Sequence, residues 1–228
     1  MTGGPASCGI RRLGIIDYHT ALERMRAFTA ARTDDTPDEI WLLEHPPVYT
    51  LGVRAARREL PFTNGIPVAI TDRGGDVTYH GPGQPIVYVL LDLARRGMNI
   101  HTLVRTLEQS VIDLLAEWNL EGTRRSGAPG VYVAERKIAS LGLRVRAGRS
   151  YHGLAFNAAM DIRPFSAIDP CGYPGLAMTQ LRDWQPDITA SEAGERLLDR
   201  VRRQLGYTEI STLSNRLTEA VPTFDARL

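Results

Sequence analysis

The sequence predicts an α+β fold, and three observations carry that prediction. Two long segments repeat apolar residues at helical spacing. Several short apolar runs are joined by short polar links that read as hairpins, and hairpins mean antiparallel pairing rather than a doubly wound nucleotide fold. The length, 228 residues, suits one domain with a core of its own.

The elements follow in chain order. A helix is expected over about 19–32, with Leu22, Met25 and Phe28 inward. EIWLLE (39–44) and PVYTLG (47–52) read as strands around a rigid His45-Pro46-Pro47. IPVAIT (66–71) and PIVYVLL (85–91) read as strands around a polar, glycine-rich insert. Asn99 is the expected N-cap of a long helix striped by Ile100, Leu103, Val104, Leu107, Val111, Leu114, Leu115 and Trp118. VYVAE (131–135), KIASLGLRV (137–145) and SYHGLAFNAAM (150–160) read as strands joined by Glu135-Arg136 and Ala147-Gly148-Arg149. Thr189 and Glu192 form a capping box before a last helix with Leu197, Leu198, Val201 and Leu205 on one face. Residues 1–228 are expected to form a single catalytic domain, with loose tails over 1–9 and about 213–228.

Composition narrows the function. The chain is 43% apolar and 23% charged, ordinary for a globular protein, and its net charge of +1 advertises neither nucleic acid nor an anionic membrane as partner. No apolar run approaches the ~18 residues that cross a bilayer. The start, MTGGPASCGIRR, lacks the apolar stretch of a signal peptide. Two cysteines, Cys8 in a glycine-rich tail and Cys171, make no disulfide framework. None of His19, His45, His80, His101 and His152 stands at zinc-ligand spacing to another or to a cysteine. The expectation is a cytoplasmic enzyme or binding protein with reduced thiols, no metal and no cofactor.

Three segments carry more than scaffold requires. RGGDVTYHGPGQ (73–84) has glycines free to adopt unusual backbone angles, amides able to bind a carbonyl or anion, and donors on Arg73, Thr78, Tyr79 and His80. Its plain reading is a hairpin loop, but twelve residues are many for that purpose, and it holds no phosphate-loop signature. In RKIASLGLRV, Lys137 alternates with Ala139 and Leu141. Its plain reading is a lysine in water at the hairpin mouth beside Arg136; the alternative is a lysine drawn inside, where charge is easily lost. In SYHGLAFNAAMDIRPFSAIDPCG a strand runs into an irregular loop with Pro164, Pro170 and Cys171. A single cysteine is ordinarily inert, yet a loop places it where reactivity matters, with His80 and His152 as candidate bases.

These segments in this order resemble the lipoyl(octanoyl) transferase family. The matching stretches are EHPPVYTLG (44–52), RGGDVTYHGPGQ (73–84), RKIASLGLRV (136–145), YHGLAFNAAMD (151–161) and DPCGYPGLAMTQL (169–181). The resemblance implies the fold of the biotin and lipoate protein ligase catalytic domain, with a mixed, largely antiparallel curved sheet flanked by helices. It places the acyl-accepting nucleophile on Cys171 and its activating lysine on Lys137. Acyl-substrate contacts fall on Arg73, Gly74, Gly75, Asp76, Val77, Thr78, Tyr79 and His80, on Ser140, Leu141 and Gly142, and on Gly153, Leu154 and Ala155. Gly142 and Gly153 read by size as room for the acyl chain. The implied reaction moves an octanoyl group from octanoyl-acyl carrier protein to a lysine of lipoyl domains. The implied acceptors are the 2-oxoacid dehydrogenase complexes and the glycine cleavage carrier protein, and the implied enzyme is a monomer. The rivals are an ATP-dependent lipoate or biotin ligase on the same fold, a cysteine thioesterase using His80 or His152, and a non-catalytic carrier-binding module.

Overall fold

The strands are β1 (Ser7–Ile15), β2 (Glu39–Glu44), β3 (Val48–Leu51), β4 (Val68–Ile70), β5 (Val77–His80), β6 (Ile86–Leu90), β7 (Gly130–Val133), β8 (Arg136–Arg146), β9 (Arg149–Phe156) and β10 (Glu209–Thr212). The helices are α1 (Tyr18–Ala31), α2 (Ile100–Ala116) and α3 (Ala190–Gln204). They come from a computed structural model that describes residues 7–57, 60, 63–169 and 175–214. A seven-stranded sheet runs β10-β1-β2-β6-β9-β8-β7, and a three-stranded sheet runs β4-β3-β5. In the large sheet β1 lies parallel to β2 and β10, and the other neighbours are antiparallel. The α+β fold expected from the sequence is the one found.

Both faces of the large sheet are covered, which explains its continuous apolar runs. In β6, Val87 and Val89 meet Leu103 and Leu107 of α2 and Leu197 of α3. Ile86, Tyr88 and Leu90 point the other way, into a cluster with Leu22 and Met25 of α1. Each of these side chains, once buried, contributes about 1.5–3 kcal/mol relative to exposure. The helices begin where cap residues predict. Asp17 accepts from Thr20 N, Asn99 from Thr102 N, and Thr189 from Glu192 N. The Glu192 carboxylate pairs with Arg196 at 2.8 Å.

The two expected hairpins are present. Ala134 and Glu135 turn β7 into β8 at φ of 45° and 65°, and Ala147 and Gly148 turn β8 into β9 at 47° and 75°. Two successive left-handed residues match the right-handed twist of the flanking strands.

One expectation is corrected at the N-terminus. Ser7, Cys8 and Gly9, placed in a loose tail, belong to β1. Cys8 and Ile10 enter the core beside Ile40, and Arg11 fixes the strand through Glu39 at 2.7 Å. Glu209–Thr212, at the other end of the chain, pairs with the same strand. The rest of the expected C-terminal tail, from 215 on, lies outside the described residues.

Candidate active site

The glycine-rich insert is not a plain hairpin loop. Its middle forms β5, which pairs with β3 from Val48↔His80 to Leu51↔Val77. The turn before β5 is held from inside. The Arg73 guanidinium donates to Thr50 O (2.7 Å), Thr50 Oγ1 (2.8 Å), Asp76 O (2.8 Å) and Gly74 O (3.0 Å). Gly75 lies at φ +92°, a conformation that favours glycine. Gly74 N donates to Leu143 O at 2.8 Å, tying the turn to β8. That amide is thus engaged by a carbonyl, one of the two partners its sequence allows.

Between β5 and the α1 face of the large sheet lies a partly open cavity. Of the expected acyl contacts, Arg73, Gly75, Asp76, Val77, Thr78, His80, Ser140, Leu141, Gly142, Gly153, Leu154 and Ala155 line it. Gly74 and Tyr79 are not among its lining residues. The Tyr79 ring packs against Tyr49 and Phe165 in a separate cluster. Tyr18, Ile86, Tyr88 and His152 complete the wall. The sequence reading did not place these four on the acyl chain, because a pocket-lining aromatic keeps the same spacing as a core one.

Neither Gly142 nor Gly153 leaves empty room. A Cβ on Gly153 would stand 2.0 Å from Val87 O, and one on Gly142 would stand 2.9 Å from Arg73 Cδ. The missing side chains let β6 approach β9 and the Arg73 stem cross β8. Gly153→Ala is therefore expected to destabilise the fold by at least about 2 kcal/mol, because backbone must move to admit the methyl. Urea unfolding measures it. A loss below about 0.5 kcal/mol would show that the strands separate freely.

Two buried histidines, His80 and His152, line the cavity, and a third, His45, packs against His80. His45 Nδ1 lies 2.7 Å from Ile16 O, which only accepts, so Nδ1 carries the proton. Its Nε2 then accepts from the Tyr88 hydroxyl at 2.8 Å. Burial pushes His45 down to about 4. Burial likewise holds His80 well below its ordinary value. His152 is lowered by burial, against the opposing hydrogen bond and charge of Asp72, 3.1 Å from Nε2. Burial alone would raise the Asp72 carboxyl. The bonds from His152 and from the Tyr151 hydroxyl (2.6 Å), with the Arg26 charge, outweigh it and hold the carboxyl well below the usual range. His152 sits within β9 at φ +62°, which costs a non-glycine residue on the order of 1–3 kcal/mol.

Lys137 is fully buried, not in water at the hairpin mouth. Its Nζ donates to Pro129 O at 2.9 Å and lies 5.6 Å from the centre of the Tyr132 ring. Lys137 is not among the residues that line the cavity, but Ser140, three positions along β8, is. The Lys137 backbone is clamped to the segment around Met178: Lys137 N donates to Ala177 O (2.8 Å), and Thr179 N donates to Lys137 O (3.0 Å). Cys171 lies outside the described residues, which end at Asp169 and resume at Gly175. Among the described residues no group of three or more His, Cys, Asp or Glu is arranged to hold a metal ion, and no helix is long and apolar enough to cross a membrane.

This architecture is that of a lipoyl protein ligase A/B catalytic domain, whose family model matches residues 17–202. Lipoate-protein ligase A, solved with ATP, superposes with a TM-score of 0.74 at 17% identity, over 91% of this chain and 90% of that one. The biotin protein ligase of Aquifex aeolicus superposes at 0.57 and 16% identity, over 86% of this chain and 70% of that one. At such identities the likeness shows the fold alone. The octanoyltransferase of Dechloromonas aromatica is 54% identical over 196 residues, 86% of this chain and 96% of that protein. That of Stutzerimonas stutzeri is 53% identical over 206 residues, 90% of this chain and 94% of that protein. The chain belongs to the octanoyltransferases of the lipoyl protein ligase A/B family, and it is an acyltransferase.

Proposed function

We propose that the protein transfers an octanoyl group from octanoyl-acyl carrier protein to a lysine of lipoyl domains, through a thioester on Cys171. The observation that carries this reading is the cavity whose wall strand, β8, also holds the buried Lys137. Further support comes from the chain beyond Cys171: Ala177, six positions on (177 − 171), is bonded to the Lys137 backbone. The acyl contacts are those expected from the resemblance that line the cavity, which leaves out Gly74 and Tyr79, with the chain lying in it.

The chemistry runs in two halves. The Cys171 thiolate attacks the donor thioester carbonyl, an S–C bond forms, and the pantetheine sulfur leaves with a proton from the Lys137 ammonium. The acceptor lysine amine then attacks the new thioester, Lys137 takes back a proton, and the Cys171 thiolate departs. Thioester exchange is nearly balanced and amide formation is downhill, so neither half draws on ATP or any other cofactor. The donor is the acyl carrier protein. The acceptors are the lipoyl domains of 2-oxoacid dehydrogenase complexes and the glycine cleavage carrier protein, and the working unit is a monomer in the cytoplasm.

Octanoyl-acyl carrier protein is expected to add one octanoyl group to the intact protein, removable by hydroxylamine. Cys171→Ser should abolish that adduct. Cys8 does not substitute for it, because burial, with Asp38 and Glu39 nearby, pushes its thiol up to about 12. A labile adduct that survives Cys171→Ser, or octanoylation that requires ATP, overturns the reading.

A further inference from the structure

A chain of buried side chains runs from the cavity to the Lys137 clamp, and none of its middle members is assigned a role above. The Thr179 carbonyl only accepts, so Asn157 Nδ2 donates to it at 2.9 Å. Asn157 Oδ1 therefore accepts from Gln84 Nε2 at 2.9 Å, the shorter of that nitrogen's two bonds, the other going to Tyr79 O at 3.3 Å. Gln84 Oε1 in turn accepts from His80 Nδ1 at 2.8 Å. His80 Nε2 is left as an acceptor, facing the Thr50 hydroxyl at 3.4 Å, whose oxygen already receives the Arg73 guanidinium. Gln84 and Asn157 are each about 2% exposed or less, so neither amide turns over at the expense of water. A backbone carbonyl beside Lys137 thus fixes the tautomer of a histidine in the cavity wall.

We propose that Gln84 and Asn157 are positioning residues for acyl transfer: they hold His80 as its Nδ1–H tautomer and tie the cavity wall to the Thr179–Lys137 backbone clamp. The proposal rests on the reading of Lys137 as the group that moves protons. Asn157 is suited to the task by its backbone as well, since its N donates to Ile138 O (2.9 Å) and its O accepts from Leu181 N (2.9 Å). One residue therefore touches β8, the segment after Thr179 and, through Gln84, β5.

The test uses ¹⁵N-histidine NMR together with steady-state kinetics on the full chain. In wild type His80 is expected as the Nδ1–H tautomer. Asn157→Leu leaves the Gln84 amide only its longer bond to Tyr79 O (3.3 Å), so the amide turns over in part, His80 becomes a mixture, and kcat falls roughly 100-fold, the scale of an ångström of misplacement, with KM little changed. Asn157→Asp separates the two ties. Its carboxylate still accepts from Gln84, so the His80 tautomer stays, but only the protonated carboxyl donates to the Thr179 carbonyl. The kcat of Asn157→Asp relative to wild type should therefore rise as pH is lowered, and this variant decides the matter if Asn157→Leu does not fold. A pure Nδ1–H tautomer in Asn157→Leu, or a ratio for Asn157→Asp that does not change with pH, overturns the proposal. A wild type that transfers no octanoyl group would instead sink the functional reading, while the NMR result still decides the tautomer relay.

Discussion

Lys137→Met is expected to fold as wild type does and to lose octanoyl transfer by roughly 10²–10⁴-fold, the range usual for a missing general acid–base group. The two effects separate because the side chain is fully buried. Methionine keeps most of the apolar stem, and removing an ammonium from the interior relieves a desolvation penalty of several kcal/mol. Against this stand the interactions the ammonium gives up, the bond to the Pro129 carbonyl at 2.9 Å among them, each worth about 1 kcal/mol. The thermal midpoint should thus stay within a few degrees of wild type. The reaction has no such compensation. Without the amine, the departing pantetheine sulfur has no proton source and the attacking lysine no acceptor. Single-turnover transfer from octanoyl-acyl carrier protein measures the loss, with circular dichroism as control for folding. A folded variant that keeps more than about a tenth of the wild-type rate would remove Lys137 from the mechanism.

The sequence made Lys137 visible as a question but not as an answer. Alternation along β8 allows water or interior, and the choice is made by Tyr132 of the neighbouring strand and Pro129 just before it. The same limit shows elsewhere. Helices and hairpins were legible because their partners lie within a few residues: Asn99 caps on Thr102, and Ala147-Gly148 closes β8 on β9. The start of β1, Ser7–Gly9, reads as tail because it pairs with Glu39 and with Glu209, both far off in the sequence. β5 was read as loop because its partner, β3, is separated from it by β4 in the sequence. Gly142 and Gly153 were rightly singled out as needing no side chain, but the space they save is taken by Arg73 and Val87. The motifs located most of the cavity wall, whereas Tyr18 and Tyr88 follow only from the packing of α1 on β6.

Stability is expected to fall steeply as pH drops from 6.5 towards 5, because three buried histidines fold as neutral rings. His45, His80 and His152 all have their proton affinity lowered, chiefly by burial, with His45 at about 4. Unfolded, each takes up a proton near pH 6.5. Between that value and the folded ones the unfolded chain binds more protons, so acid favours unfolding and stability rises with pH. Each group contributes ~1.4 kcal/mol per pH unit over its window, so three give a slope of about 4 kcal/mol per unit at most. Against a total of about 5–15 kcal/mol, that is a large share of the stability. Urea denaturation at half-unit pH steps measures the slope. His45→Gln should lower it by about one proton while leaving the cavity residues in place. A wild-type slope below one proton over pH 6–5, or an unchanged slope in His45→Gln, would mean that the rings are solvated in the native state. The dependence has a functional counterpart. His80 and His152 stand in the wall of the proposed acyl site, where a positive charge would be desolvated against hydrocarbon. Acid should therefore weaken octanoyl binding over the same pH window in which it weakens the fold, since both require the same rings to stay neutral.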